Sequence, residues 1–201
     1  MGEELRNEEA RNDLESLPVV IGVRTVLSGA ASLDQGLNRA LTHMGESLGW
    51  LFGACWLLDA GAKHLCLRGV WCARAFQSDF DSESGKHRFE RGEGLPGRVW
   101  ETGAPIWVED VLQDLNFPRR EAAAREGLHG AVAFPVFADG VLRGALEFYT
   151  DVLRTPTPAL MPVLEHLGNC VGQFVAGYGT AELCPPPGGQ LEAHDGRVTE
   201  I

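Results

Sequence analysis

The segment GEGLPGRVWETGAPIWVEDV, residues 92–111, decides how the whole chain is interpreted. It contains four glycines and two prolines. Pro96 lies where the first turn of a helix tolerates proline and Gly103 lies where a helix ends, so the segment predicts a short helix, PGRVWET. The following PIWVEDV alternates as a strand does. Three uses are open to such a segment: a catalytic loop, a phosphate-binding loop or the wall of a pocket.

The phosphate-binding loop can be weighed from the sequence alone. The glycines fit the spacing G-x-G-x-x-G, but Pro96 lies inside the motif and Glu93 lies beside its first glycine. Because proline lacks a backbone donor and a carboxylate repels phosphate, the motif is only weak support for a phosphate site.

Upstream of this segment the sequence predicts a helix and two strands. Ser32 and Gln35 form an S-x-x-Q capping box, apolar residues then recur at helical spacing, and Gly49 ends the run. The stretches WLFGACWLLD and HLCLRGVWCA follow and predict paired strands. Residues 1–16 are polar and acidic, which predicts a mobile or helical extension.

A polar loop is predicted from Gln77 to His87. Asp79, Asp81 and Glu83 occupy alternate positions within it, a pattern that raises the question of calcium binding. The twelve-residue calcium loop that ends in glutamate is missing, so a solvated loop is the preferred interpretation.

Downstream, a short helix and a hairpin are predicted. Asn116 is placed to cap the helix and Gly127 to end it. Asp139-Gly140 between HGAVAFPVFA and VLRGALEFYT is a strong hairpin signal, and Pro135 indicates an edge or a bulge in the first of these strands.

The last predicted helix opens at Thr157-Pro158. Its apolar positions follow alternating steps of four and three, and they are Leu160, Leu164, Leu167, Val171, Phe174 and Tyr178. This pattern fits either a face packed on the sheet or the start of a coiled coil. The glycines at 168, 172, 177 and 179 argue against a long rigid helix. Residues 17–182 are thus expected to form one domain, and the Pro/Gly-rich residues 183–201 a disordered tail.

Composition excludes several classes of protein. The 201 residues carry a formal net charge of −11, so a nucleic-acid partner is not expected. No apolar run is long enough to cross a membrane. The five cysteines are odd in number and include no C-x-x-C pair, which argues against disulfides and structural zinc and favours a reducing cytoplasm.

Individual catalytic or metal-binding residues are not strongly indicated. Cys55, Cys66 and Cys72 lie in predicted strands, where cysteines are mostly inert apolar residues. His129 and His87 are candidates for a metal or a haem iron, but neither has a second ligand at helical or strand spacing. We therefore predict no catalytic residue and no metal site, and the cofactor stays unassigned.

An aromatic set is the stronger candidate for a ligand pocket. Rings over a sheet that is covered by a glycine-rich helix and loops can form either an apolar pocket or plain core. The predicted pocket-lining residues are Trp56, Trp71, Trp100, Trp107, Phe117, His129, Phe134 and Phe148.

Four sequence blocks together resemble a GAF domain of the type found in bacterial sensor histidine kinases. They are GLPGRVWETG, NFPR, GLHGAVAFPV and GALEFY, and the resemblance spans residues 18–180. It implies an α+β fold with a central antiparallel sheet of about six strands. The N- and C-terminal helices would cover one face, and short helices and loops the other.

The resemblance also implies a function. GAF domains bind small ligands or act as dimerisation and relay units, so the chain is expected to be a non-enzymatic sensor in signal transduction. It would be homodimeric through its terminal helices, with a histidine kinase or another signalling protein as output partner. The motifs of cyclic-nucleotide, bilin and methionine sulfoxide reductase GAF domains are not matched. A Pro-rich tail follows the last helix in this sequence, so the chain is expected to be either a stand-alone or terminal sensory domain or a piece of a larger protein. The alternative is a haem sensor, or a redox enzyme that uses Cys66, Cys72 or His129.

Overall fold

The computed structural model describes residues 18–73, 80–155 and 159–184. The predicted extension 1–16, the Thr157-Pro158 start of the last helix and most of the predicted tail lie outside these residues. The helices are α1 (residues 18–28), α2 (Leu33–Leu48), α3 (Phe80–Ser84), α4 (Gly94–Thr102), α5 (Arg120–Glu126), α6 (Leu160–Val175) and α7 (Thr180–Leu183). The strands are β1 (Phe52–Leu58), β2 (Leu65–Cys72), β3 (Arg88–Phe89), β4 (Ile106–Val108), β5 (Ala131–Ala138) and β6 (Val141–Tyr149).

The six strands form one antiparallel sheet in the order β3-β2-β1-β6-β5-β4. β5 and β6 are joined at Asp139-Gly140, whose φ angles of 51° and 74° are those a two-residue hairpin turn requires. Pro135 lies beyond Ala133, where pairing with β4 stops, and the register against β6 shifts just after Val136. The predicted α+β architecture is thus confirmed, with β1 and β6 at its centre.

The two faces of the sheet carry separate cores. Alternate residues of β6 point to opposite faces, as strand geometry requires. Leu146 and Phe148 belong to a cluster beneath α1, α2 and α6, which we call the helix-side core. Tyr149 and Ala145 belong to a second cluster beneath α3, α4 and α5, which we call the loop-side core. Each face is therefore closed by its own set of helices.

Helix α2 begins and ends as its sequence predicts. The Ser32 hydroxyl accepts a hydrogen bond from the backbone N–H of Gln35, and the Gln35 side chain accepts one from Ala31. Gly49 ends the helix with φ 70°. Residues 18–28 form a helix whose Val23 and Leu27 are buried in the helix-side core.

Helix α6 packs on β5, and two glycines set its distance from the strand. A Cβ atom at Gly168 would lie 2.0 Å from the carbonyl oxygen of Pro135, and one at Gly172 would lie 1.9 Å from that of Phe137. Leu164 and Leu167 are fully buried on the same face. The heptad-like pattern thus describes a sheet-packing face, and these glycines allow close contact rather than weakening the helix.

We expect Gly168→Ala to lower the free energy of unfolding by about 1–3 kcal/mol, measured by denaturant titration. The new methyl group meets a backbone oxygen, which cannot rotate aside, so the helix must move off the strand. Gly177→Ala is the matched control, because its Cβ would meet the Phe174 carbonyl oxygen at an ordinary 3.4 Å. Equal stability of the two variants would contradict the close-contact interpretation.

A disulfide joins Cys66 of β2 to Cys184, 118 residues further along the chain. The expectation that no disulfide forms is therefore wrong. Cys184 follows the short helix α7, and Leu183 is buried in the helix-side core. The start of the predicted tail is thus attached to the sheet, and the remaining cysteines, Cys55, Cys72 and Cys170, are free.

The predicted polar loop from Gln77 to His87 is only partly a loop. Residues 80–84 form α3, and Phe80 and Ser84 are fully buried. The Glu83 carboxylate pairs with Lys86 and His87. The charge-rich sequence concealed one aromatic residue whose burial fixes this segment against the domain.

No helix among the described residues is both long and apolar enough to span a membrane.

Candidate functional site

The loop side of the sheet holds a buried polar network inside an apolar core. β6 contributes Glu147 and Tyr149, one two-residue step apart on the same face, and β1 contributes Trp56. Arg119, directly before α5, extends into the centre of this group. All four side chains are essentially excluded from solvent.

Arg119 and Glu147 form the ion pair at the centre of the network. Nη2 of Arg119 lies 2.8 Å from each carboxylate oxygen of Glu147. The Trp56 indole donates to Oε1 of Glu147 at 2.9 Å, and the Tyr149 hydroxyl donates to Oε2 at 2.7 Å. Three donors thus converge on one carboxylate, as a buried charge requires.

The charge states follow from burial and from this pairing. Burial by itself would lower the pKa of Arg119, but the carboxylate of Glu147 outweighs it and the pKa is raised above its ordinary value. The pKa of Tyr149 is raised well above its ordinary value, first by burial and then by Glu147, against the opposing effect of Arg119. The guanidinium is therefore charged, and the Tyr149 hydroxyl keeps its proton.

Five rings surround the guanidinium of Arg119. Its Cζ atom lies 4.9–5.6 Å from the ring centroids of Trp56, Phe80, Phe89, Phe117 and Tyr149. A cation within about 6 Å of aromatic rings is attracted by their negative faces. We call these five rings, together with Glu147, the cation cage.

Helix α3 completes the cage from the opposite side. Nη1 of Arg119 donates to the Ser84 hydroxyl at 2.8 Å, and that hydroxyl donates to the Phe80 carbonyl oxygen at 2.6 Å. Nε of Arg119 is buried and has no acceptor among the residues that the structure describes. One donor of the guanidinium is therefore left unsatisfied.

A groove of about 520 Å³ opens beside the cage. Residues 117–122, with Glu83 and Arg125, form its walls. Arg119 is common to the groove and the cage, so the groove adjoins the position where its side chain enters the interior. Glu83 and Glu121 provide carboxylates in the groove outside the cage.

The glycine-rich segment, residues 92–111, is held to this region by the side chain of Asn116. The Asn116 carboxamide accepts a hydrogen bond from the N–H of Gly94 at 2.9 Å and donates one to the carbonyl oxygen of Gly92 at 2.8 Å. The prediction that Asn116 caps a helix is wrong, because α5 begins only at Arg120. Asn116 instead joins two loops, and Phe117 and Arg119 follow it directly.

We expect Asn116→Ala to lower the free energy of unfolding by about 1–2 kcal/mol, because two backbone groups of residues 92–94 lose their partner at a partly solvated site. Thermal or denaturant unfolding measures the change. Gln113→Ala is the control, an exposed residue of the same loop. An effect no greater than that of the control would show that the two Asn116 hydrogen bonds contribute nothing to stability.

The structure divides the seven aromatic residues among the eight predicted pocket residues between the two faces. Trp56, Trp100 and Phe117 lie on the loop side. On the helix side are Trp71, Trp107, Phe134 and Phe148. The eight do not line one concavity.

The predicted histidine and cysteine candidates lie apart from the cage. His129 Nδ1 is 3.1 Å from Oδ1 of Asp110 at a partly exposed site. His87 stacks on Phe89 and pairs with Glu83. Burial raises the pKa of the Cys55 and Cys72 thiols to about 12, so both are protonated at neutral pH. No group of three or more metal-ligating side chains occurs within the described ranges.

Sequence reasoning missed the charged pair at the centre of the site. Glu147 in GALEFY is an acidic residue inside an apolar strand, and Arg119 closes the NFPR block. A charge within a buried strand needs a counter-charge, and that rule was the available signal for Glu147. Nothing in the spacing of 28 residues identifies Arg119 as its partner.

A GAF domain family model matches residues 30–176, so the chain belongs to the GAF domain family. Comparison with curated proteins gives no significant match. Among solved structures it is similar to the GAF domain of a phosphoenolpyruvate-protein phosphotransferase from Coxiella burnetii. That pair has a TM-score of 0.69 and 21% identity, over 82% of this chain and 94% of that one.

Two further structures show the same fold. The free methionine-R-sulfoxide reductase of Neisseria meningitidis, solved with its substrate, gives a TM-score of 0.64 at 19% identity, over 80% of this chain and 88% of that one. The A. aeolicus nlh2 GAF domain gives 0.64 at 18% identity, over 82% and 98%. These likenesses show the fold alone, and one of the structures that share it is an enzyme.

Proposed function

We propose that this GAF domain is a sensory or regulatory module in bacterial signal transduction, which binds a small ligand or a partner on its loop side and relays the event through its terminal helices. The fold is a general one for signalling. The finer role rests on how the buried network is connected to the opposite face.

The observation that carries the proposal is the alternation along β6. Glu147 and Tyr149 face the loop-side core, whereas the residues between and before them, Phe148 and Leu146, face the helix-side core. A shift of Glu147 that reaches its backbone also moves the backbone that holds Phe148. Two groups of contacts, one for a ligand and one for the helices, are thus attached to a single central strand.

The helices are placed to respond to such a shift. α6 packs on β5, the neighbour of β6, and α2 packs on β1 and β2. Ligand binding can change the packing of the helices only if the ligand binds one packing arrangement more tightly than the other. The close contact between α6 and β5 makes a change in strand twist costly unless the helix follows it.

Non-enzymatic function is supported by the state of the thiols. A thiol of pKa about 12 supplies almost no thiolate at neutral pH, and Cys66 is bonded to Cys184. The redox-enzyme alternative that uses Cys66 or Cys72 therefore receives no specific support from the described residues.

The relay can be tested without knowing the ligand. Glu147→Gln removes the charge but keeps the shape of the side chain, and Glu101→Gln, at an exposed position, is the matched control. Short-time hydrogen exchange, which reports local opening, is expected to increase in α6 for Glu147→Gln alone. Unchanged exchange in α6, with altered exchange around Arg119, would contradict the relay.

The proposal includes a homodimer through α1 and α6, with a histidine kinase or another signalling protein as output partner. Ile21 of α1 is an exposed large apolar residue, which is the kind of side chain a helix pair buries. Light scattering across a concentration series tests this part, and a monomer at every concentration would contradict it.

A further inference from the structure

We propose that the ligand of the loop side is a small organic cation with a guanidinium or alkylammonium group, and that Arg119 occupies its position in the free protein. This inference rests on the proposed function, because it assigns a ligand class to the loop side. The cation cage is the structural feature that carries it.

The cage has the composition of a cation-recognition site. Five aromatic rings lie 4.9–5.6 Å from one cationic carbon. The Glu147 carboxylate, which also accepts hydrogen bonds from Trp56 and Tyr149, neutralises the charge. Aromatic cages of this kind bind ammonium and guanidinium groups because desolvated cations gain most from ring faces. A filler required only for volume would be apolar, since replacing a buried ion pair by apolar residues is often neutral or stabilising.

Arg119 is an imperfect occupant. Its Nε has no acceptor among the described residues, and an unsatisfied buried donor costs about 1–3 kcal/mol. Arg119 also forms part of the groove wall. An alkylammonium ion has only three N–H donors against the five of Arg119, and without a covalent link to the chain it can direct them at Glu147 and Ser84.

The groove gives the displaced side chain a place to go. Glu83 and Glu121 line the groove together with Arg120 and Arg125, and Glu83 also pairs with Lys86. A guanidinium that leaves Glu147 meets water and these two carboxylates there, so its charge is solvated in the displaced state. The exchange replaces one cation in the cage by another.

The covalent attachment of Arg119 to the chain also sets the expected affinity for an added cation. An internal competitor acts at an effective concentration of about millimolar or more, and the apparent affinity falls with the fraction of molecules whose cage is open. Binding to the wild-type chain should therefore be weak. Removal of the competitor should strengthen it by about tenfold or more.

The experiment titrates guanidinium and methylguanidinium, each at millimolar concentrations far below denaturing ones, into the wild-type chain and into Arg119→Ala. Urea is the matched control, because it has the shape of guanidinium without the charge. The readout is the NMR signal of the Trp56 indole N–H, which donates to Glu147.

The expected result is a saturable shift with both cations and none with urea, with about tenfold tighter binding to Arg119→Ala. Adding Glu147→Gln to Arg119→Ala should weaken binding by about tenfold or more, because the charge-assisted bonds are lost. If the cations bind Arg119→Ala but never shift the wild-type signal, Arg119 is a permanent structural group and the proposal is overturned.

The wild-type titration decides the question even if Arg119→Ala does not fold. A response to the cations and not to urea supports the proposal, and no response, or an equal response to urea, overturns it. The hydrogen-exchange comparison of Glu147→Gln with Glu101→Gln does not involve a cation. A relay without cation binding would therefore leave the proposed function intact and reject only this ligand class.

Discussion

Glu147→Ala lowers the free energy of unfolding by about 3–5 kcal/mol, the range expected when one partner of a buried ion pair is removed. The guanidinium of Arg119 would then lose its counter-charge among the five rings, and moving it into the groove would leave the space between those rings unfilled. Trp56 and Tyr149 would also lose their acceptor. Equilibrium unfolding in urea measures the loss. The slope of the unfolding free energy against urea concentration should stay unchanged, because a change in slope would indicate altered compactness instead.

A double variant separates the charge from the shape of the site. Arg119→Met with Glu147→Gln removes both charges while keeping similar volume, so we expect it to be more stable than Glu147→Ala and at least as stable as either single change. If the double variant is the least stable of the set, the interaction is not governed by the uncompensated charge.

We expect reduction of the Cys66–Cys184 bond, or the change Cys184→Ser, to lower the free energy of unfolding by about 2–5 kcal/mol. The bond closes a loop with a sequence separation of 118 residues, so it removes much of the conformational freedom of the unfolded chain. Denaturant unfolding with and without a reducing agent gives the difference in one protein.

Cys170→Ser is the control, since Cys170 is a half-buried free thiol. The reducing agent should leave the stability of the Cys184→Ser variant unchanged. If it destabilises that variant as much as the wild type, the loss has another origin. A cytoplasmic location, which remains a hypothesis, would hold this pair reduced and the domain at the lower stability.

The fold was predictable because local signals agreed with one another. The Ser32 cap, the glycines at 49, 103 and 127, and the Asp139-Gly140 turn each specify one boundary, and all have the predicted geometry. Such signals depend on backbone conformation within a few residues. The structure therefore agrees with the sequence at these boundaries, whereas the equally local prediction of a cap at Asn116 is wrong.

The candidate site was less predictable because its members meet through the tertiary fold. Trp56 and Phe117 were anticipated as aromatic residues, but Arg119 and Glu147 converge from different elements. Composition also does not state which face of the sheet a ring occupies, and a single step along β6 separates Phe148 from Glu147. Four of the eight expected residues lie on the helix side for this reason.

The disulfide shows a different limit. Five cysteines permit many pairings, and the count alone favoured none of them. Only the position of α7, which returns the chain to β2, brings Cys184 to Cys66. Side-chain contacts between distant segments follow from the fold and not from spacing.

The bare backbone contact between α6 and β5 at Gly168 and Gly172 has a mechanical consequence. Side chains between two elements usually absorb small displacements by changing rotamer, as a compliant layer does. At these two positions no side chain separates the two backbones, so the contact is stiff and a deformation of the strand is passed directly to the helix. We expect α6 and β5 to move together as one rigid unit, so that any hinge lies outside this pair.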